Sequence, residues 1–123
     1  MILVDASVWI NHLRAADERL AALLAGHEVL GHPFVAGEVA LGYLRQRDII
    51  MRSLHRLPQA VVASDREVLR LIDEERLYGR GIGYIDAHLL AAARLTAEAR
   101  LWTRDGRLQR VAAERGLAAM LPH

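Results

Sequence analysis

Apolar positions along this chain follow two rhythms. Short unbroken runs such as Ile2-Leu3-Val4 read as buried strands, whereas stretches with leucine or alanine every three or four residues read as amphipathic helices. After the first run, the pattern through Leu13 suits the start of a helix. A second helix opens at Ala16 or Asp17, carries Leu20, Leu23 and Leu24 on one face, and stops at Gly26. Residues 28–30 form a weak strand ending at Gly31-His32-Pro33, and Pro33 suits the first turn of a helix over 34–44. A further helix covers 47–57.

The second half repeats the alternation. Val61-Val62-Ala63 is a short strand or a connector. Ser64-Asp65-Arg66-Glu67 has the spacing of a capping box and heads a helix running to Leu77. A glycine-broken loop over 78–83 precedes a helix over 85–97. Residues 100–103 are the second clear strand, a helix over 106–115 is closed by Gly116, and 117–121 make a last short strand. Strands alternating with helices, without hairpin turns, predict an α/β domain on a parallel sheet. In such domains functional groups gather beyond the carboxyl ends of the strands.

Composition narrows the chemistry. With 123 residues, 53% of them hydrophobic and 25% charged, and with no repeat or linker, residues 1–123 read as a single globular domain. No segment has the basic start and long apolar core of a signal peptide, and no run approaches a membrane span, so a cytoplasmic location is expected. The absence of cysteine fits a reducing compartment and excludes thiol catalysis, cysteine-bound zinc and iron–sulfur clusters. All 16 basic residues are arginine. The missing lysine removes the P-loop lysine, a lysine Schiff base and the protein-kinase lysine together. The net charge of +1 is not the strongly basic footprint usual for nucleic-acid binding.

Four acids stand where an α/β sheet would build a site. Asp5 follows the first strand, Asp105 comes two residues after the strand ending near Thr103, and Asp86 starts a helix after Gly81-Ile82-Gly83. Each of these three could serve only as a helix cap, a role worth about 1 kcal/mol. Capping does not explain Glu38, which sits in an otherwise apolar stretch, Phe34-Val35-Ala36-Gly37-Glu38-Val39-Ala40-Leu41-Gly42-Tyr43-Leu44. That helix is expected to be largely buried, so its carboxylate needs a partner: Arg45, or a cation shared with the other acids. Converging carboxylates without a cation repel one another. Oxygen donors of this kind, without cysteine or a histidine pair, select Mg²⁺ or Mn²⁺ over zinc. The residues by themselves thus reach a divalent-metal phosphodiesterase or phosphatase.

A resemblance takes the reading further. Val4-Asp5-Ala6-Ser7-Val8-Trp9-Ile10, Pro33-Phe34-Val35-Ala36-Gly37-Glu38-Val39-Ala40, Gly83-Tyr84-Ile85-Asp86-Ala87-His88-Leu89-Leu90 and Leu101-Trp102-Thr103-Arg104-Asp105 resemble the four motif blocks of PIN-domain ribonucleases, and more narrowly the VapC-type toxins of toxin–antitoxin pairs. The resemblance implies a three-layer α/β/α sandwich with a central parallel sheet. It implies that Asp5, Glu38, Asp86 and Asp105 hold Mg²⁺ or Mn²⁺ and hydrolyse RNA phosphodiester bonds with a metal-activated water. Ser7 and Thr103 match the small hydroxyl residues that support the acids. Gly106 and Arg107 stand where some members carry a further acid, which bears on a second metal position. A cognate antitoxin and a homodimer are implied as partners, with the apolar stretches over 34–44 and 49–57 as candidate contact surfaces.

Other residues are weighed against this frame. Arg80, Arg104, Arg107 and Arg110 read either as a solvated helix face or as phosphate contacts that position RNA without specifying sequence. His88 reads as a packed or solvent-facing histidine, and Trp9 and Trp102 as core or interface anchors. Gly81-Ile82-Gly83 lacks the rest of a dinucleotide fingerprint, and Ser7 and Ser64 lack a nucleophile elbow. The rival readings are a non-nucleolytic α/β module and a degenerate PIN scaffold. A receiver domain wants a lysine, and a dehalogenase-like phosphatase wants an acid where Ser7 stands. If the four acids are committed to metal, eleven acids face 16 arginines elsewhere, so the near-neutral total does not argue against RNA.

Overall fold

A computed structural model describes residues 1–121. Three short strands, β1 (Ile2–Val4), β2 (Val29–Leu30) and β3 (Arg100–Trp102), form a parallel sheet in the order β2-β1-β3. Ile2 pairs with Val29 on one side and Arg100 on the other; Val4 pairs with Trp102. Single parallel bridges, Gly31 with Gln59 and Leu101 with Ala118, widen the sheet at both edges. Successive strand residues point to opposite faces, yet Leu3 and Val4, Val29 and Leu30, and Leu101 and Trp102 are all buried. Both faces are therefore covered by helices, which gives the expected α/β/α sandwich.

Among the described residues seven helices supply the covering layers: α1 (Ala6–Arg14), α2 (Glu18–Ala25), α3 (Pro33–Ala40), α4 (Arg47–Arg56), α5 (Asp65–Glu74), α6 (Tyr84–Leu95) and α7 (Gly106–Glu114). Most start on a side-chain cap: Asp5 for α1, Asp17 for α2, His32 for α3, and Asp105 for α7. Ser64 and Glu67 form the expected capping box on α5. The deepest helix is α6, where His88, Leu89, Leu90 and the run Ala91-Ala92-Ala93 are all buried. Small alanines let it lie close against β3 and α5.

Two sequence expectations need correction. The helix predicted over 34–44 stops at Ala40, leaving Leu41 and Tyr43 exposed, Tyr43 completely. Gly42 weakens continuation by about 1 kcal/mol. The Arg47 guanidinium donates to the carbonyls of Ala40 and Gly42, satisfying the groups another helical turn would have used. The strand predicted over 117–121 contracts to the single bridge at Ala118. Val61-Val62-Ala63 is a connector, because the edge bridge forms at Gln59 instead.

Candidate active site

Because the strands are parallel, their carboxyl ends share one edge, and the sequence places acids just past two of them. Asp5 continues from β1, its amide donating to the Trp102 carbonyl at 2.9 Å, so it lies beside the end of β3. Its carboxylate is 6% exposed and held from three sides. Oδ1 accepts from the Ala6 amide at 2.8 Å; Oδ2 accepts from Ser7 Oγ at 2.7 Å and Thr103 Oγ1 at 2.8 Å. The hydroxyls in turn accept from backbone, Ser7 from the Arg104 amide and Thr103 from the Asp105 amide. Each hydroxyl has one proton, and both protons go to Asp5. Ser7 and Thr103 thus both bond the Asp5 carboxylate.

Asp105 and Asp86 both serve the starts of their helices, the capping role weighed for them. Asp105 caps α7, with Oδ1 accepting from the Arg107 and Leu108 amides. Asp86 stands in the first turn of α6, where Oδ2 accepts from the Gly83 amide at 2.9 Å. In each carboxylate the other oxygen accepts no hydrogen bond among the described residues. Glu38 projects from α3, half-buried, with no hydrogen bond from any described residue.

The electrostatics join these side chains. Burial, then the charges of Asp5 and Asp86, push the Glu38 carboxyl above its ordinary value. Burial also raises Asp86, aided by Asp5 and Asp105 and opposed by the Gly83 amide. Each of the four acids therefore feels at least one other. No ion pair to any of them occurs among the described residues, and the Glu38–Arg45 alternative is not formed. No three His, Asp or Glu side chains among the described residues stand ready to hold an ion as placed. The donor set nevertheless suits a hard divalent cation: carboxylate oxygens only, uncompensated in charge, several with a free oxygen.

The arginines divide. Arg80 Nη2 donates to both carboxylate oxygens of Glu114, at 2.8 and 2.9 Å, so its guanidinium is committed to α7. Arg104, Arg107 and Arg110 are exposed and form no ion pair among the described residues. Arg107 lies across the loop before α6: a Cβ on Gly81, which has φ +79°, would come within 2.7 Å of its Nη1. Trp9 and Trp102 are buried, consistent with core anchors, and the Arg19 guanidinium covers the Trp102 ring at 5.0 Å.

Sequence reasoning missed an aromatic chain behind the acids. The rings of His32, Phe34, His88 and Tyr84 meet edge to face with centroids 5.3, 4.7 and 4.8 Å apart in succession. His88 is 2% exposed, so it is the packed histidine rather than a surface one. The spacing of Tyr84 and His88, four residues apart on one helix face, is the only trace of this cluster in the sequence.

The fold, the parallel edge and the acid-bearing segments define a class: the PIN-domain family model matches residues 2–114, and the chain belongs to that family. Two relatives place it within the family's VapC-type ribonucleases. Ribonuclease VapC32 of Mycobacterium tuberculosis, from strain CDC 1551 / Oshkosh and from strain ATCC 25618 / H37Rv, is 53% identical over 118 residues. The similarity covers 96% of this chain and 95% of each relative.

Proposed function

We propose that this chain is a Mg²⁺- or Mn²⁺-dependent endoribonuclease and the toxic member of a cytoplasmic toxin–antitoxin pair. One observation carries the proposal: four carboxylates from four separate segments share one field, with no cation among the described residues paired to them. Near-full-length similarity to Ribonuclease VapC32 supports RNA as the substrate.

Asp5, Glu38, Asp86 and Asp105 would hold the ion. Bound there, a divalent cation activates water and offsets charge on the phosphate oxygens during hydrolysis. Asp5, held by three hydrogen bonds, is the fixed point of the set. Asp86 and Asp105 each keep one oxygen on a helix terminus and offer the other. Glu38 accepts no hydrogen bond among the described residues and has a raised affinity for protons, so it suits orienting the attacking water. Arg104 and Arg107 would position the RNA backbone. Arg80 is already paired with Glu114, so its contribution would be to hold the 78–83 loop.

A cleft of about 580 Å³ between α1, the 41–45 turn and α4 is lined by Ile10, Leu13, Val39, Tyr43, Leu44 and Ile50, and also by Arg14 and Arg45. With Tyr43 exposed on its wall and Leu41 exposed beside it, this is where a segment of the cognate antitoxin would dock. The reading also includes a homodimer, which sedimentation of the purified chain would reveal. The central test is cleavage of RNA by the purified chain with Mg²⁺ or Mn²⁺, with EDTA, and in Asp86→Asn. Cleavage that needs the metal and vanishes in the variant is expected; full cleavage in excess EDTA would overturn the proposal.

A further inference from the structure

Asp86 is set on its helix turn from behind. The start of α6 carries Tyr84, Asp86 and, one turn after Tyr84, His88; a two-residue step turns the helix by roughly 200°, so Tyr84 and His88 face away from Asp86. Both reach the same atom. The Tyr84 hydroxyl donates to Asp65 Oδ1 at 2.9 Å, and His88 Nε2 lies 3.2 Å from that oxygen. An acceptor there selects the Nε2–H tautomer of His88. The other ring nitrogen, Nδ1, is buried without a partner, so Asp65 is the only hydrogen-bond partner of this imidazole among the described residues.

The backbone of Asp65 is anchored, while its side chain is 80% exposed. Asp65 is the first residue of α5, directly after the Ser64 cap and inside the capping box closed by Glu67. The His88 ring is wedged between Tyr84 and Phe34, and Phe34 lies on α3 one turn before Glu38. Thus α5 grips the back of the turn that carries Asp86, and the same ring touches the helix that carries Glu38.

We infer that Asp65 is a positioning residue: through Tyr84 and His88 it fixes the first turn of α6 and so holds Asp86 where the acids converge. The inference rests on the reading of Asp86 as a metal ligand. Asp65 carries no ligand role, since its carboxylate is turned to the opposite face of α6.

The experiment compares Asp65→Ala, Asp65→Asn and Tyr84→Phe with the unaltered chain by Mn²⁺ calorimetry and by amide hydrogen exchange of the metal-free protein. Asn keeps an Oδ1 acceptor and drops only the charge. Asp65→Ala should weaken Mn²⁺ binding about tenfold and speed exchange of the Ala87 amide, which bonds the Gly83 carbonyl in that turn. Asp65→Asn should restore both, and Tyr84→Phe should fall between. Unchanged Mn²⁺ binding in Asp65→Ala, beside an unaltered chain that binds Mn²⁺, would overturn the positioning role of Asp65 alone. Equal losses in Asp65→Ala and Asp65→Asn would overturn it too, by assigning the effect to charge. An unaltered chain that binds no Mn²⁺ would remove the metal reading and the inference with it.

Discussion

Thr103 Oγ1 donates a 2.8 Å hydrogen bond to Asp5 Oδ2 across 98 residues of chain. The same oxygen of Thr103 accepts from the Asp105 amide, so one hydroxyl joins the acid after β1 to the acid after β3. Both strand ends depend on it. Thr103→Val keeps the shape and removes the hydroxyl, leaving a part-buried amide and a buried carboxylate oxygen each short of one bond. The expected cost is about 2 kcal/mol of stability, seen as a lower thermal midpoint, together with slower RNA cleavage at saturating metal.

Asp86 separates folding from chemistry. Burial and the charges of Asp5 and Asp105 raise its carboxyl above the ordinary value, so its ionised form opposes the metal-free fold near neutral pH. Asp86→Asn removes that charge and keeps an oxygen for the Gly83 amide. The metal-free variant should therefore melt at or above the temperature of the unaltered chain while losing cleavage. Added Mn²⁺ should stabilise the unaltered chain by about 2.7 kcal/mol at a hundredfold excess over its dissociation constant. Calorimetric scans with and without the ion should show that gain shrinking sharply in Asp86→Asn.

How far the sequence carries this picture depends on the range of each interaction. The strands were legible because they are apolar on both faces, and Asp5 and Asp105 because caps follow strand ends directly. Pairings made in three dimensions left no such trace. Arg80 reads from sequence as either a solvated helix face or a phosphate contact, yet it meets Glu114, 34 residues further on. Asp65 reads as part of a capping box, and nothing local marks it as the partner of His88. The end of α3 was hidden for the same reason: Gly42 gives a weak stop signal, and the Arg47 reach to the Ala40 carbonyl fixes it.

His32 makes stability depend on acid. It is 1% exposed, and burial, with the nearby His88, lowers its pKa from 6.5 to about 4. Its Nδ1 accepts from the Phe34 amide, so the neutral ring is the capping form. Between those values the unfolded chain binds a proton that the folded chain refuses, so stability falls as pH drops through the window. The full effect is about 3 kcal/mol at most, from 1.36 kcal/mol per pKa unit. His32→Asn keeps a favoured helix cap without the titrating ring. Denaturant melts at pH 7 and pH 4.5 should show a smaller acid loss in the variant, whatever the cost of its smaller side chain. An identical loss in both would assign the acid sensitivity elsewhere.

Tyr43 tests the docking surface without touching the fold. It stands fully exposed beyond the end of α3 and lines the cleft together with Ile10 and Ile50. An exposed aromatic that buries nothing within its own chain contributes little to stability, whereas one that anchors a partner commonly contributes more than 1 kcal/mol to binding. Tyr43→Ser should therefore leave the melting temperature and RNA cleavage unchanged. Its affinity for the cognate antitoxin should fall by about tenfold or more, 1.4 kcal/mol being a factor of ten, when measured by calorimetry on the purified pair. Tyr43→Phe should retain most of that affinity, because the apolar ring supplies the contact. Wild-type affinity in the serine variant would move the docking segment away from this cleft.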